Sequence, residues 1–231
     1  MLNKKKLFLL ILLPLIGIFG LWAGDVATFT DLGFSADGNF YMFSQHGIQH
    51  NTLIPWANLY IVDVARNDFV PNGRVSYVHE GSVRPGLDGS GAFLHLLSRN
   101  ISLAERWRIN HNLTGHLLYV NLEGGNSRQP IEFRHFEGGD SYRATLVPTM
   151  HGTGANLSSS FIINLERTMQ NGTRRNYIVG TPQARRPNII SYSISRVMVS
   201  PDRSSMILVI EMHRQEGDTT VIRYMVEALK L

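Results

Sequence analysis

Two histidines, His46 and His50, are spaced His-x3-His and followed by Trp56. That spacing is the one adopted by neighbouring metal ligands on one helical face. The flanks Gly47-Ile-Gln49, Asn51 and Pro55 are not those of a helix, and no third ligand of convincing type stands nearby. The pair therefore reads first as two histidines of a polar loop, with a metal site as the sharper alternative. Trp56 reads either as a loop anchor packed on a sheet or as a ligand platform. Arg174-Arg175 and Arg185-Arg186 are short basic pairs of the kind that form a solvated face, and they are where an acidic ligand is to be sought.

Other constellations fall short of their chemistry. Gly152-Thr-Gly-Ala-Asn156 is glycine-rich, but no helix opening with Lys-Ser/Thr follows it, so it is not a phosphate cradle. Gly89-Ser-Gly91 is too short for a nucleophile elbow. Cysteine is absent, which excludes disulfides, thiolate metal sites, a cysteine nucleophile and lipid attachment at an N-terminal cysteine. The 18 acidic residues are scattered singly, and their separation in sequence does not define a glycosidase pair. No enzyme signature stands out, and no cofactor is implied.

The elements that must position these residues are mostly strands. Gly33 to Gly73 reads as a strand, a tight turn at Asp37-Gly38, a strand over Asn39–Ser44, a loop over His46–Ala57 and a strand over Asn58–Val64. Asp and Gly tolerate the positive φ that short hairpin turns demand. Phe40, Met42, Tyr41 and Phe43 put apolar groups on both faces, so this strand is expected to be covered on both sides. Helical spacing predicts one helix within Leu87–Arg99, capped by Asp88 or Ser90 and carrying His95 toward the core. Ser102-Leu-Ala-Glu105 has capping-box form and predicts a second over Leu103–Ile109. Strands are predicted at Gly115–Leu122, Ile131–Phe136, Ser141–Pro148, Ser159–Arg167, Arg174–Val179, Ile189–Ser200, Ser204–His213 and Thr219–Leu229. Turn clusters at Gly124-Gly-Asn126, Gly138-Gly139, Asn171-Gly172, Ser200-Pro-Asp202 and Glu216-Gly-Asp218 separate them.

Lys4–Lys6, the apolar run Leu7–Trp22 and small Ala23-Gly24 form an export signal over residues 1–24, either cleaved or kept as an anchor. Residues 25–231 then form one domain, with 43% of the chain hydrophobic and 17% charged. The formal net charge is +4, but without the three signal lysines 19 basic residues face 18 acidic ones. Bulk charge gives no support to nucleic-acid binding.

Phe34-Ser-Ala-Asp-Gly38, with Phe40–Phe43 and Leu59–Val64, resembles one unit of the periplasmic propeller repeats of the Tol system, with Ala36 in place of proline. Val199-Ser-Pro-Asp202 is similar, with Arg203 where glycine is usual. A closed ring needs several blades, and two such units are recognisable. The whole order also resembles a family of uncharacterised secreted bacterial proteins. That order runs from the hairpin through Gly47-Ile-Gln49, Phe69-Val-Pro71, Leu96-Leu-Ser-Arg99 and Arg186-Pro187 to the final Ser-Pro-Asp unit. The resemblance implies export and a β-rich fold, and it brings no catalytic residues with it.

The sequence therefore predicts a mainly β exported domain, propeller-like or sandwich-like, with one or two inserted helices. The expected function is noncatalytic binding in the periplasm or at the cell surface. An unknown protein or envelope ligand would be contacted through His46, His50, Trp56, Arg185 and Arg186. A hydrolase or metal-dependent enzyme using His46 and His50 is the alternative. Contact with a membrane is expected only through an uncleaved signal.

Overall fold

The apolar runs of the chain pair into three antiparallel sheets stacked face to face. The computed structural model describes residues 25–122 and 130–231. The expected export signal and the Gly124-Gly-Asn126 turn lie outside the described residues. The first sheet is a meander of β1 (Thr28–Ser35), β2 (Phe40–Ile48), β3 (Pro55–Asp63) and β4 (Asp68–Val78), with β5 (Ile109–Asn110) added beside β1. Between β4 and β5 lie the two helices, α1 (Ser90–Arg99) and α2 (Ile101–Arg106). The central sheet has β6 (His116–Val120) beside β12 (Ile189–Val199), then β13 (Ser205–Glu216) and β14 (Thr219–Lys230). The outer sheet is a meander of β7 (Ile131–Arg134), β8 (Ser141–His151), β9 (Ser158–Thr168) and β10 (Arg174–Val179). A short β11 (Arg186–Pro187) lies alongside β9. Among the described residues no sheet closes into a barrel, and the chain is mainly β with two α-helices.

Alternation along β13 explains the stacking. Met206, Leu208 and Ile210 point into a core shared with Phe161, Ile163 and Leu165 of the outer sheet. Ile207 and Val209 point the other way, onto Phe34, Tyr41, Phe43 and Val62 of the first sheet. Both faces of the central sheet are thus dry, and the uninterrupted apolar run over residues 206–210 is what such a strand requires. In β12, bulges between Ile189 and Ser191 and between Ile194 and Arg196 reset the alternation. Ile194 and Val197 then both reach the outer core, while Met198 joins the inner one. The far face of the first sheet is covered by Ala92 and Leu96 of α1 and Ala104 of α2, packed on Met42, Leu59 and Ile61.

One edge of the central sheet is closed without another full strand. Ile222 N–H donates to the Asp25 carbonyl at 2.9 Å, and Ala27 N–H returns to the Ile222 carbonyl at 3.1 Å. Further along β14, Tyr224 N–H donates to Gln45 Oε1 at 2.8 Å and Ala228 N–H to Asn67 Oδ1 at 2.6 Å. Side chains of the first sheet therefore satisfy donors that an open edge would offer to another chain.

The two Ser-x-Asp turns have one geometry. Phe40 N–H donates to Ser35 Oγ at 2.9 Å, Gly38 N–H to the Ser35 carbonyl at 2.9 Å, and Asn39 N–H to Asp37 Oδ1 at 3.1 Å. At the second turn Ser205 N–H donates to Ser200 Oγ at 3.0 Å, Arg203 N–H to the Ser200 carbonyl at 2.8 Å, and Ser204 N–H to Asp202 Oδ1 at 3.2 Å. Gly38 has φ +63° and Arg203 has φ +62°. The turns lie side by side. Ser205 Oγ and Lys230 Nζ both donate to the Gly38 carbonyl, at 2.9 and 3.0 Å.

The expected strands form, with different ends in places. His46–Ala57 is not a long loop: β2 continues to Ile48 and β3 begins at Pro55, with His46 paired to Ala57 and Gly47 to Trp56. Cross-strand hydrogen bonding extends the ladder past the last apolar residue. The second helix starts at Ile101 because Asn100 ends α1 and begins α2. The Asn100 amide donates to the Leu96 carbonyl at 2.8 Å, Ser102 falls inside the helix, and the capping box does not form.

The twin turns predict opposite responses to converse changes. At Gly38 a Cβ would lie 3.0 Å from both Asp202 carboxylate oxygens at a φ costly to L-residues, so Gly38→Ala is expected to cost about 1–2 kcal/mol. Arg203→Gly removes the same strain and is expected to be neutral or stabilising by up to about 1 kcal/mol. Urea denaturation of both variants checks this, and equal losses would contradict it.

Candidate functional site

The polar end of the stack is built around a buried ion pair. Asp25 Oδ2 accepts from Trp56 Nε1 at 2.9 Å and from Arg223 Nη2 at 2.7 Å. The same guanidinium donates through Nη1 to the carbonyls of Asp25 and Ile222 and lies 4.4 Å from the centre of the Trp56 ring. The segment at residues 25–27 is thereby fastened to both β3 and β14. Burial pushes the Asp25 carboxyl above the ordinary aspartate value, opposed by Arg223 and by the Trp56 hydrogen bond.

Around this pair lies an open cleft of about 490 Å³, walled by the turn after β2 and the ends of β13 and β14. Gln49, Asn51, Thr52 and Asn58 line one side, Arg214, Glu216 and Thr219 the other. A second depression of about 370 Å³ adjoins it, lined by Arg84–Gly89, Thr28 and Gly47. Asp25 and His50 belong to both, so the two form one groove with His50 at the junction. The start of α1 closes its floor: a Cβ on Gly89 would lie 2.4 Å from the Gly47 carbonyl oxygen, so glycine is required for that approach.

The structure separates the residues singled out in the sequence. His50 lines the groove. Trp56 is its backstop, buried with its indole N–H committed to Asp25. His46 is not beside His50 on a loop; it is buried on β2 and stacked on Phe93, with ring centroids 5.2 Å apart. Its Nδ1 is buried without a hydrogen-bond partner. Burial holds the His46 pKa below the ordinary histidine value, opposed by Asp88. Arg185 is exposed and Arg186 lies over the Phe161 ring, donating to the Ala184 carbonyl at 3.0 Å and facing Glu227 at 3.8 Å. Neither lines the groove. His95 is not carried into the core: it is exposed on α1, with its ring 4.4 Å from that of Tyr77 between centroids. Among the described residues no group of three or more His, Asp or Glu is placed to hold a metal ion.

Sequence reasoning missed the charges inside strands. Arg223 in Val221-Ile-Arg-Tyr-Met225 and Glu211 in β13 interrupt apolar runs, a signal that a charge is paired when the strand folds. Glu211 accepts from Tyr224 Oη at 3.4 Å and pairs with His213 Nε2 at 2.8 Å. Burial, with Glu211 adjacent, pushes the Tyr224 phenol up to about 12. Ser193 faces Glu211 across the ladder, fully buried.

Together these features define a layered protein of antiparallel β-sheets with a polar groove at one end of its stack. The chain belongs to the family described as "Predicted secreted protein (DUF2259)", whose model matches residues 42–230. No curated protein and no solved structure matches the chain. The family is described as secreted, and the protein is exported.

Two predictions test this account. Arg223→Met leaves the Asp25 carboxylate buried without its cation and is expected to cost about 3–5 kcal/mol near pH 7. The loss should shrink toward pH 4 as Asp25 takes up a proton, and urea unfolding at both pH values measures it. For His46, the folded pKa lies below the unfolded one, so its contribution is present above about pH 6.5 and lost as pH falls from there. The melting temperature of the wild type should fall more between pH 7.5 and 5 than that of His46→Gln. Asp88→Asn should enlarge the wild-type fall, since Asp88 favours the protonated ring.

Proposed function

We propose that this protein is a noncatalytic binding protein of the periplasm or cell surface, and that the groove centred on His50 is its contact surface. The observation that carries the reading is that two depressions adjoin at Asp25 and His50. The groove walls are strand ends and the start of a helix, and the Asp25–Arg223–Trp56 cluster locks them together. A site held this way is pre-organised, so a ligand meets little ordering cost. Of the residues expected to make contact, His50 takes that role, Trp56 shapes the wall, and His46 supports it from behind through the paired strands. Arg185 and Arg186 belong to a separate surface. The paired Ser-x-Asp turns and the meander order of the sheets support a propeller-like origin for the scaffold.

The test is capture of solubilised envelope material by the immobilised mature chain and by a Thr219→Trp variant, in which a large ring fills the groove. The wild type is expected to retain a component and release it chemically unchanged, and the variant to retain less than about a tenth as much. Release of an altered product would overturn the noncatalytic reading. Equal retention by both would remove the groove from the binding surface.

A further inference from the structure

Resting on that reading, we infer that the groove takes a neutral, hydroxyl-rich chain: an oligosaccharide. Arg84, Arg214 and Arg223 line the groove together with Asp25, Asp88 and Glu216. Arg223 is bonded to Asp25 at 2.7 Å and Arg214 stands 3.6 Å from Glu216. Two of the three arginines thus face a carboxylate, so an ion entering beside them gains little over water.

The remaining polar lining is uncharged. Gln49, Asn51, Thr52, Asn58 and Thr219 are amides and hydroxyls, groups that both donate and accept. A sugar hydroxyl is likewise donor and acceptor at one atom, and this lining matches it without a charge. Two joined depressions suit several linked rings better than one small molecule.

An extended peptide is also neutral and long, but it would bind by adding to a free strand edge. Of the two edges that reach the groove, β14 has its Ile222 and Tyr224 N–H groups already taken by the Asp25 carbonyl and by Gln45 Oε1, and β4 touches it only through its last residue, Val78. The lining therefore favours the saccharide.

The test is NMR titration of the ¹⁵N-labelled mature chain with a panel of short oligosaccharides built from glucose, mannose or N-acetylglucosamine. Inorganic phosphate, free glutamate and an alanine-serine pentapeptide serve as comparators. At least one oligosaccharide is expected to shift amides in both depressions at millimolar concentration, with affinity nearly unchanged up to about 0.5 M salt. Asn51→Ala, an exposed turn position, should weaken it about ten-fold. Salt-sensitive binding of phosphate or glutamate in place of sugar would overturn the neutral ligand class, as would binding of the pentapeptide alone or silence from the whole panel. In each of those cases groove-dependent capture of envelope material leaves the binding function standing. Saccharide binding undiminished in Thr219→Trp would sink both readings of the groove.

Discussion

Burial of the central sheet on both faces is the constraint from which the remaining architecture follows. Residues 206–210 of β13 have no exposed surface, and each apolar side chain contributes about 1.5–3 kcal/mol when fully buried. A strand dry on both sides needs a partner sheet on each, and the outer and first sheets supply them. The first sheet is then itself buried on one face and must cover the other, which the two helices accomplish. A charge placed within such strands has no water to turn to. Glu211, Glu227 and Asp25 accordingly sit with His213, Asn67 and Arg223 at hand.

Along the layer between the first and central sheets, character changes from one end to the other. Near the twin turns it is Phe34, Tyr41, Val62, Ile207 and Ala228. Toward the opposite end Gln45, Glu211, His213 and Tyr224 replace them, and beyond these the layer opens at Asn58, Trp56 and Arg223. The apolar end provides cohesion and the polar end provides register, because each hydrogen bond that β14 donates to Gln45 or Asp25 fits only one alignment. Buried ion pairs add little net stability against an apolar replacement, but they penalise wrong alignments heavily. The groove thus stands where the stack passes from packing to hydrogen bonding.

Much of the fold was legible because strand patterning is local. The run Arg174–Val179 forms the predicted strand end for end, and Ile189 and Thr219 begin theirs as expected. Arg203 at a glycine-like position was legible too, since the Ser-x-Asp frame around it is the same as at Gly38. The extension of β2 to Ile48 was not, because Gln45, His46 and Gly47 enter a strand only through pairing with Trp56, Ala57 and Asn58. His-x3-His suggested two ligands together, yet His46 stacks on Phe93 of a helix that sequence spacing could not dock. The groove itself joins Asp25, His50, Arg84 and Arg223, which lie in four separate stretches of chain. Composition and periodicity carry no information on such a meeting.

The most enzyme-like constellation in the molecule argues for the groove by contrast. Ser193, Glu211 and His213 share one end of the central sheet, with Glu211 and His213 bonded. A nucleophile must be reached by its substrate, whereas Ser193 is 1% exposed and lines none of the described cavities. The Glu211 carboxylate holds His213 and lies beside a Tyr224 phenol that stays protonated at any ordinary pH, its pKa pushed up to about 12. Those groups tie β13 to β14 between two sheets, and their chemistry is spent on that attachment. In the groove the pairing runs the other way. Asp25 and Arg223 satisfy each other in the wall, and the neutral amides and hydroxyls of the 49–58 stretch and Thr219 line the opening. Buried charges thus fix the wall, and uncharged polar groups stand before them.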